Sequence, residues 1–158
     1  MQSRTAWSRE RAEDIIEANR HLDGAALPIL HALQHEFGYV DQEAVPLVAQ
    51  ALNLSRAEVH GVVTFYHDFR EAPAGQHVLK LCRAEACQSM GADALAAKAR
   101  DRLDINWHET TPDGRVTLEP VFCLGLCACA PAAMLDGRVI GALDEARLTN
   151  LIDQARRP

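Results

Sequence analysis

Apolar residues in the first part of the chain recur at the three- and four-residue spacing of amphipathic helices. Ser8 can cap a helix that runs to about His21. A second helix is predicted over residues 26–37, with Pro28 in its first turn and Gly38 as its stop signal.

Two further helices are predicted after this stop. Asp41 opens a helix over residues 41–52, and Ser55 and Glu58 have the spacing of a capping box for the next one.

Residues 48–59 superficially resemble a DNA-binding helix-turn-helix. The second of these helices offers only Arg56 to nucleic acid, and residues 1–75 have 6 basic and 11 acidic residues. A DNA-binding module is therefore disfavoured.

The hydrophobic period changes after residues 71–76, a segment with the Pro and Gly content of a linker. We therefore predict two domains, an all-helical domain over residues 1–72 and a second domain over residues 77–158. The second domain is predicted to contain strands over 77–82 and 116–119, hairpin turns at Asp113-Gly114 and Asp136-Gly137, a helix over 92–103 and a final helix around 148–155. The predicted order is β-α-β-β-β-β-α.

Composition and charge limit the classes of function. The chain has 158 residues, 48% hydrophobic and 24% charged, with a net charge of −6. The negative charge argues against a general nucleic-acid binder. The start of the chain lacks the apolar core of a signal peptide, and the uncharged stretch from Val121 to Leu135 is shorter than the roughly 20 residues of a spanning helix. We expect a soluble, cytoplasmic protein without membrane insertion, in which five cysteines indicate metal or redox chemistry.

Four of these cysteines form two closely spaced pairs. Cys82 ends the first predicted strand and Cys87 is predicted in the loop before the next helix, whereas Cys123 and Cys127 are predicted in a loop just past a later strand. Strand ends that lie side by side would bring all four sulfurs to one edge of the sheet. Gly125, between the second pair, allows the backbone to bend closely and to present its N–H groups.

Four thiolates in one site require a compensating cation or cationic cluster, and four cysteines are the ligand set of a 2Fe–2S cluster. Apolar residues around the pairs are expected to limit water there: Val121, Phe122, Leu124, Leu126, Ala128, Ala130 and Met134. Structural zinc, a disulfide with one odd thiol, and inert buried cysteines remain as alternatives. Spacing alone also leaves open a Cys-x5-Cys pair that uses Cys129 in place of Cys127.

The cysteine segments resemble those of the thioredoxin-like 2Fe–2S ferredoxin family, which includes the 24 kDa subunit of NADH dehydrogenase. The matching residues are Leu81-Cys82-Arg83-Ala84-Glu85-Ala86-Cys87 and the run from Cys123 to Pro131, together with Phe37-Gly38-Tyr39-Val40 and Gly61–Tyr66 in the helical part. The likeness covers about residues 12–156. Within the family, the short length and the run from Cys127 to Val139 most resemble the gamma subunit of soluble NAD-dependent molybdenum formate dehydrogenases.

This resemblance implies a fold, a ligand set and a set of partners. The implied fold is an α/β (α+β) thioredoxin-like ferredoxin domain preceded by a small all-helical docking domain. Cys82, Cys87, Cys123 and Cys127 are the implied iron ligands of one 2Fe–2S cluster, and no active site of its own is expected. The implied partners are a flavin- and NAD-binding subunit with iron–sulfur clusters and a molybdenum catalytic subunit, so that FMN, NAD and the molybdenum cofactor lie on partners. The equivalent subunits of NADH dehydrogenase (complex I) and of NAD-reducing hydrogenases are alternatives.

The chain itself carries no G-x-G-x-x-G dinucleotide motif, because no two of its nine glycines are two positions apart, and it carries no P-loop either. Phe65, Tyr66 and Phe69 cannot all face one direction on a helix. Some of them are expected to pack internally, and others are candidate contacts with a partner.

Overall fold

The computed structural model describes residues 5–157 and divides the chain into two compact units. The first ends at Pro73 and the second begins at Ala74. Across residues 5–157, no helix combines the length and the apolar character that crossing a membrane would require.

Four helices build the first unit: α1 (Arg9–Asn19), α2 (Ala26–Phe37), α3 (Ala44–Leu52) and α4 (Arg56–Phe65). Helix α2 packs against the other three. Its side chains Ile29, Leu30 and Leu33 are completely buried, and burial of each stabilises the fold by about 1.5–3 kcal/mol. The bounds of α2 coincide with the prediction, and Gly38 ends the helix with a left-handed φ of 84°.

The predicted caps of α1 and α4 are present. The Ser8 side chain accepts a hydrogen bond from the backbone N–H of Arg11. In the capping box of α4, the Ser55 Oγ accepts the N–H of Glu58 at 3.1 Å, and the Glu58 carboxylate accepts the N–H of Ser55 at 2.8 Å. These bonds satisfy N–H groups that the helix itself leaves unpaired.

Helix α3 begins at Ala44 and not at Asp41, so its predicted start was wrong. The Asp41 carboxylate accepts the N–H of Glu43 at 2.8 Å, and the Asp41 carbonyl accepts the N–H of Ala44 at 2.9 Å. Asp41 therefore forms a turn ahead of the helix, a common alternative for this residue type.

The second unit contains a four-stranded sheet with helices. Its elements are β1 (His77–Cys82), α5 (Glu85–Ser89), α6 (Ala92–Leu103), β2 (Val116–Val121), a 3₁₀ turn (Cys127–Cys129), β3 (Ala133–Leu135), β4 (Arg138–Ile140) and α7 (Glu145–Arg156). The strand order is β2-β1-β3-β4, with β1 parallel to β2 and antiparallel to β3. The core includes Leu79, Leu118, Leu103, Leu148 and Ile152.

Two predictions for this unit were wrong, whereas the bounds of β1 and α6 and the second hairpin turn are confirmed. The residues before Asp113-Gly114 make only an isolated bridge between Thr110 and Thr117, so the described part of the sheet has four strands instead of five. The stretch around Cys87 is the short helix α5 and not a loop. The Asp136-Gly137 hairpin is present, with φ of 50° and 86° at its two residues, as a type I′ turn requires.

Candidate metal centre

The four paired cysteines lie at or beyond the carboxyl ends of two neighbouring strands. Cys82 is the last residue of β1 and lies opposite Val121, the last residue of β2. Because these strands are parallel, their ends lie at the same edge of the sheet, and Cys123 comes two residues after Val121. The expectation that two adjacent strand ends would bring the pairs to one edge is confirmed.

The first pair is buried. Cys82 is 3% exposed and Cys87, on α5, is 2% exposed. The loop between them is closed by the Gln88 side chain, whose Nε2 donates to the carbonyl of Arg83 at 2.7 Å. Helix α5 therefore holds Cys87 over the end of β1.

The second pair is exposed. The Sγ atoms of Cys123 and Cys127 are 3.9 Å apart. Gly125 has a φ of +75°, and its backbone N–H donates to the Cys123 sulfur with an N···Sγ distance of 3.4 Å. Cys123 itself has a φ of +125°, a conformation that L residues rarely adopt and that occurs mainly where function requires it.

The sulfurs influence one another electrostatically. Burial raises the pKa of the Cys87 thiol, a hydrogen bond with the Cys82 side chain raises it further, and the nearby Cys127 adds to the effect. The Cys123 side chain, by its hydrogen bond and its charge, raises the pKa of Cys127, to which Cys82 also contributes. Each of the four thiols therefore interacts with at least one other, and Cys127 interacts with both members of the first pair. Negative charge can accumulate on them only if a cation compensates it.

Ala132 connects Cys82 and Cys87, the two cysteines of the buried pair, through its backbone. Its carbonyl accepts the N–H of Cys82 at 3.0 Å, and its N–H donates a hydrogen bond to the Cys87 sulfur that opposes the rise in that thiol's pKa. Backbone donors to sulfur are one of the means by which a protein sets the potential of an iron–sulfur centre.

The predicted apolar wall is only partly present. Val121, Leu124, Leu126 and Ala130 pack around the buried pair. Phe122, the first residue after β2, is 71% exposed and does not belong to this cluster. Ala128 is exposed as well. Met134 is half-buried on β3 and does not belong to the cluster around the cysteines.

Cys129 occupies a different position from the other four. It ends the 3₁₀ turn that Cys127 begins, and its N–H donates to the Leu126 carbonyl at 2.8 Å. Its Cβ lies so close to Gly141 that a Cβ added to the glycine would be only 2.8 Å away. The contacts of Cys129 thus fasten the end of the loop.

The donor set fits a centre with two irons. The sulfurs interact within each pair, Cys123 with Cys127 at 3.9 Å and Cys87 with Cys82 through a side-chain hydrogen bond. A 2Fe–2S cluster takes four cysteine ligands, and Cys82 with Cys87 and Cys123 with Cys127 would supply them.

Sequence reasoning missed three contributors to this site. Ala132 contributes its backbone amide and Gln88 its side-chain carboxamide, and neither residue is part of a recognisable sequence motif. Arg83, next to Cys82, stacks over Trp107 with 5.5 Å from guanidinium to ring centroid and pairs with Asp93 at 2.9 Å. Its Nε is buried and has no acceptor in the described part of the chain. The sequence shows Arg83 next to Cys82 and shows Trp107, but it does not show that the two side chains are in contact.

A family model described as "Thioredoxin-like [2Fe-2S] ferredoxin" matches residues 12–156. Among curated proteins, the chain is 32% identical over 137 residues to NADP-reducing hydrogenase subunit HndA of Solidesulfovibrio fructosivorans, covering 87% of this chain and 80% of that protein. It is 33% identical over 132 residues to a subunit of the NADH-quinone oxidoreductase of Escherichia coli (strain K12), covering 84% of this chain and 80% of the relative.

A solved structure shares the fold. A chain of an NAD+-reducing [NiFe]-hydrogenase in the H2-reduced state superposes with a TM-score of 0.69 and 29% identity over 82% of this chain. This chain spans only 22% of that hydrogenase chain. The family match and this superposition confirm the thioredoxin-like fold class expected from the sequence.

Proposed function

The chain belongs to the thioredoxin-like 2Fe–2S ferredoxin family, and on that premise we propose that it is the electron-transfer subunit of an NAD-linked oxidoreductase complex. When bound, a 2Fe–2S cluster would supply a centre that accepts and returns one electron at a time. The names of the relatives, a subunit of an NADP-reducing hydrogenase and one of an NADH-quinone oxidoreductase, support this class of complex.

The proposed iron ligands are Cys82, Cys87, Cys123 and Cys127. The observation that carries the proposal is the meeting of these two pairs beyond the parallel ends of β1 and β2. Buried Cys82 and Cys87 form the side that excludes water, and exposed Cys123 and Cys127 form the side open to solvent. We propose that electrons enter and leave on the open side, because electron transfer requires close approach of the partner's redox centre.

We further propose that the owner of this subunit is a soluble molybdenum formate dehydrogenase. The support is the resemblance of the run from Cys127 to Val139 to the gamma subunits of those enzymes. Formate would then be oxidised at molybdenum on one partner, and NAD would be reduced at FMN on another, which also carries iron–sulfur clusters. The equivalent subunits of NADH dehydrogenase and of NAD-reducing hydrogenases are the second candidates, since the similar proteins carry those names.

Residues 77–158 are the proposed cluster domain, and residues 1–72 are the proposed docking domain. The first unit is acidic, and on it Phe65 and Tyr66 are 74% and 43% exposed, whereas Phe69 is buried. The two exposed rings are therefore the proposed contacts with the flavin-bearing partner. We propose a cytoplasmic location, because cysteines that form no disulfide bonds are typical of that compartment.

Metal analysis and spectroscopy of anaerobically purified chain test the cofactor. We expect equal amounts of iron and acid-labile sulfide, and a paramagnetic signal of a half-integer ground state after reduction with dithionite. Colourless protein with stoichiometric zinc would reject the proposal in favour of a zinc-stabilised interaction module.

Purification of the native complex through a tag on this chain tests the owner. Mass spectrometry of the co-purifying chains should identify a formate-oxidising molybdenum subunit. A nickel hydrogenase subunit, or membrane proton-pumping subunits, would assign the chain to one of the alternative complexes.

A further inference from the structure

Three residues ahead of α7 hold the middle of the cysteine-bearing loop. The N–H of Ala142 donates to the carbonyl of Cys129 at 2.5 Å, and the N–H of Leu143 donates to the carbonyl of Pro131 at 2.9 Å. We call residues 141–143 the clamp. It holds the backbone between the 3₁₀ turn (Cys127–Cys129) and β3 at two carbonyls, those of Cys129 and Pro131.

The segment held by the clamp touches both cysteine pairs. Cys127 lies at its start, 3.9 Å from the Cys123 sulfur. Ala132 lies at its end, where it bonds the backbone of Cys82 and the sulfur of Cys87. A displacement of this segment therefore changes the position of one pair relative to the other.

The clamp is held by a side chain of α7. The Nη1 of Arg147 donates to the carbonyls of Gly141 and Ala142, each at 3.1 Å. The Asp144 carboxylate accepts the N–H of Arg147 at 2.7 Å and caps α7. Ala142 has a φ of +47°, a left-handed conformation that is unfavourable for an L residue. The guanidinium keeps the clamp in this conformation.

Gly141 allows the clamp to approach the loop. A Cβ at this position would lie 2.8 Å from the Cys129 Cβ and 3.1 Å from the Cys129 carbonyl oxygen. The φ of Gly141 lies outside the left-handed region, so alanine would be tolerated here but for the contact with Cys129. The absence of a side chain therefore serves packing and not backbone conformation.

We infer that Arg147 and Gly141 are positioning residues for the cysteine site. Arg147 fixes the conformation of the clamp, Gly141 lets the clamp close on Cys129, and together they set the placement of the two thiol pairs. The consequence for a bound cluster rests on the proposed function, whereas the clamp itself rests on the contacts described above.

Replacing Arg147 with methionine keeps the length of the side chain and removes its donors. Arg156→Met is the matched control, because Arg156 is also on α7 and its Nη1 donates to a carbonyl, that of Arg102, at 3.3 Å. In the full chain without cluster, Arg147→Met should speed amide hydrogen exchange at Ala142 and Leu143 at least tenfold, and Arg156→Met should change it less than twofold. Unchanged exchange at both amides in Arg147→Met would overturn the inference.

Gly141→Ala tests the close approach by a second route, which is needed if Arg147→Met fails to fold. We expect Gly141→Ala to speed exchange at the same two amides and, in chain with cluster, to change the g values of the reduced centre. Adding Cys129→Gly removes the clashing Cβ and should restore both readouts most of the way, whereas Cys129→Ala keeps that Cβ and should not. Equal behaviour of the two double variants would contradict the role assigned to Gly141.

These readouts separate the inference from the proposed function. If the chain binds no cluster, the exchange rates still decide whether the clamp holds. If the chain binds a cluster while Arg147→Met and Gly141→Ala leave exchange, g values and reduction potential unchanged, the proposed function stands and the clamp is rejected.

Discussion

The backbone N–H of Gly125 donates to the sulfur of Cys123, the residue two positions before it, across an N···Sγ distance of 3.4 Å. Both residues have positive φ, +75° for the glycine and +125° for the cysteine. The loop thus has two positive φ angles close together. Gly125 adopts its positive φ without strain, whereas Cys123 carries a side chain and is strained.

Gly125→Ala is expected to lower the free energy of unfolding by roughly 1–2 kcal/mol, because alanine disfavours the left-handed conformation. No atom lies within 4 Å of the added Cβ, so a steric clash does not contribute. Gly24→Ala is the matched control, with a φ of +64° and equally open surroundings in the first unit. Both variants should lose similar stability in urea, but only Gly125→Ala should alter the visible circular dichroism of the bound cluster. An altered spectrum in Gly24→Ala as well would contradict a local effect.

Cys127→Ser is expected to abolish cluster binding, and Cys129→Ser is expected to preserve it. Cys127 lies 3.9 Å from Cys123 and interacts with Cys82, whereas Cys129 is fastened through its backbone and its Cβ. Iron and acid-labile sulfide per chain in anaerobically purified variants measure the difference. Equal iron content in the two variants would contradict this assignment, and loss of iron in Cys129→Ser alone would favour the Cys-x5-Cys alternative.

Glu58→Gln is expected to weaken α4 at neutral pH and to have no effect in acid. Hydrogen bonds from the backbone N–H and the hydroxyl of Ser55 hold the pKa of Glu58 below its ordinary value of 4.5. A carboxylate with a lowered folded pKa stabilises the protein fully above the unfolded pKa, and this stability is lost as pH falls through the folded value. Protection factors of the α4 amides between pH 7 and pH 3 should therefore converge for the two proteins. A constant difference over this range would contradict the assignment.

Leu79→Ala is expected to destabilise the second unit by about 2–5 kcal/mol, the range for emptying a well-packed site. Leu79 is completely buried and lies between Leu118 and Leu135 in the sheet. Val139→Ala, at a half-exposed position on β4, should lower the free energy of unfolding by at most about 1 kcal/mol. Urea unfolding followed by Trp107 fluorescence reports on this unit if Trp7 is first replaced with phenylalanine. A loss below about 1 kcal/mol for Leu79→Ala would show that the site relaxes around the cavity.

Elements with strong local signals were predictable from the sequence. The bounds of α2 and β1 coincide with their predictions, because Pro28 and Gly38 mark the helix ends and the strand is a largely apolar run followed by polar residues. The capping box of α4 was also predictable, because it depends on two side chains three residues apart. The placement of the cysteine pairs followed from the strand ends that precede them.

Features that depend on tertiary contacts were not predictable. Helix α5 has only five residues, too few to be stable without the packing of Cys87. The expected strand before Asp113-Gly114 is interrupted by His108, whose φ is +65°. The approach of Gly141 to Cys129 joins two loops that share no local pattern, and the exposure of Phe122 depends on where β2 ends.

The parallel arrangement of β1 and β2 also imposes an order on maturation. Between the two cysteine pairs, the polypeptide must return along α6 before β2 can align beside β1. A nascent chain that has formed β1 and α5 therefore offers half of a ligand set. The four proposed ligands come together only after this crossover has closed, so cluster incorporation would report that β2 has aligned beside β1.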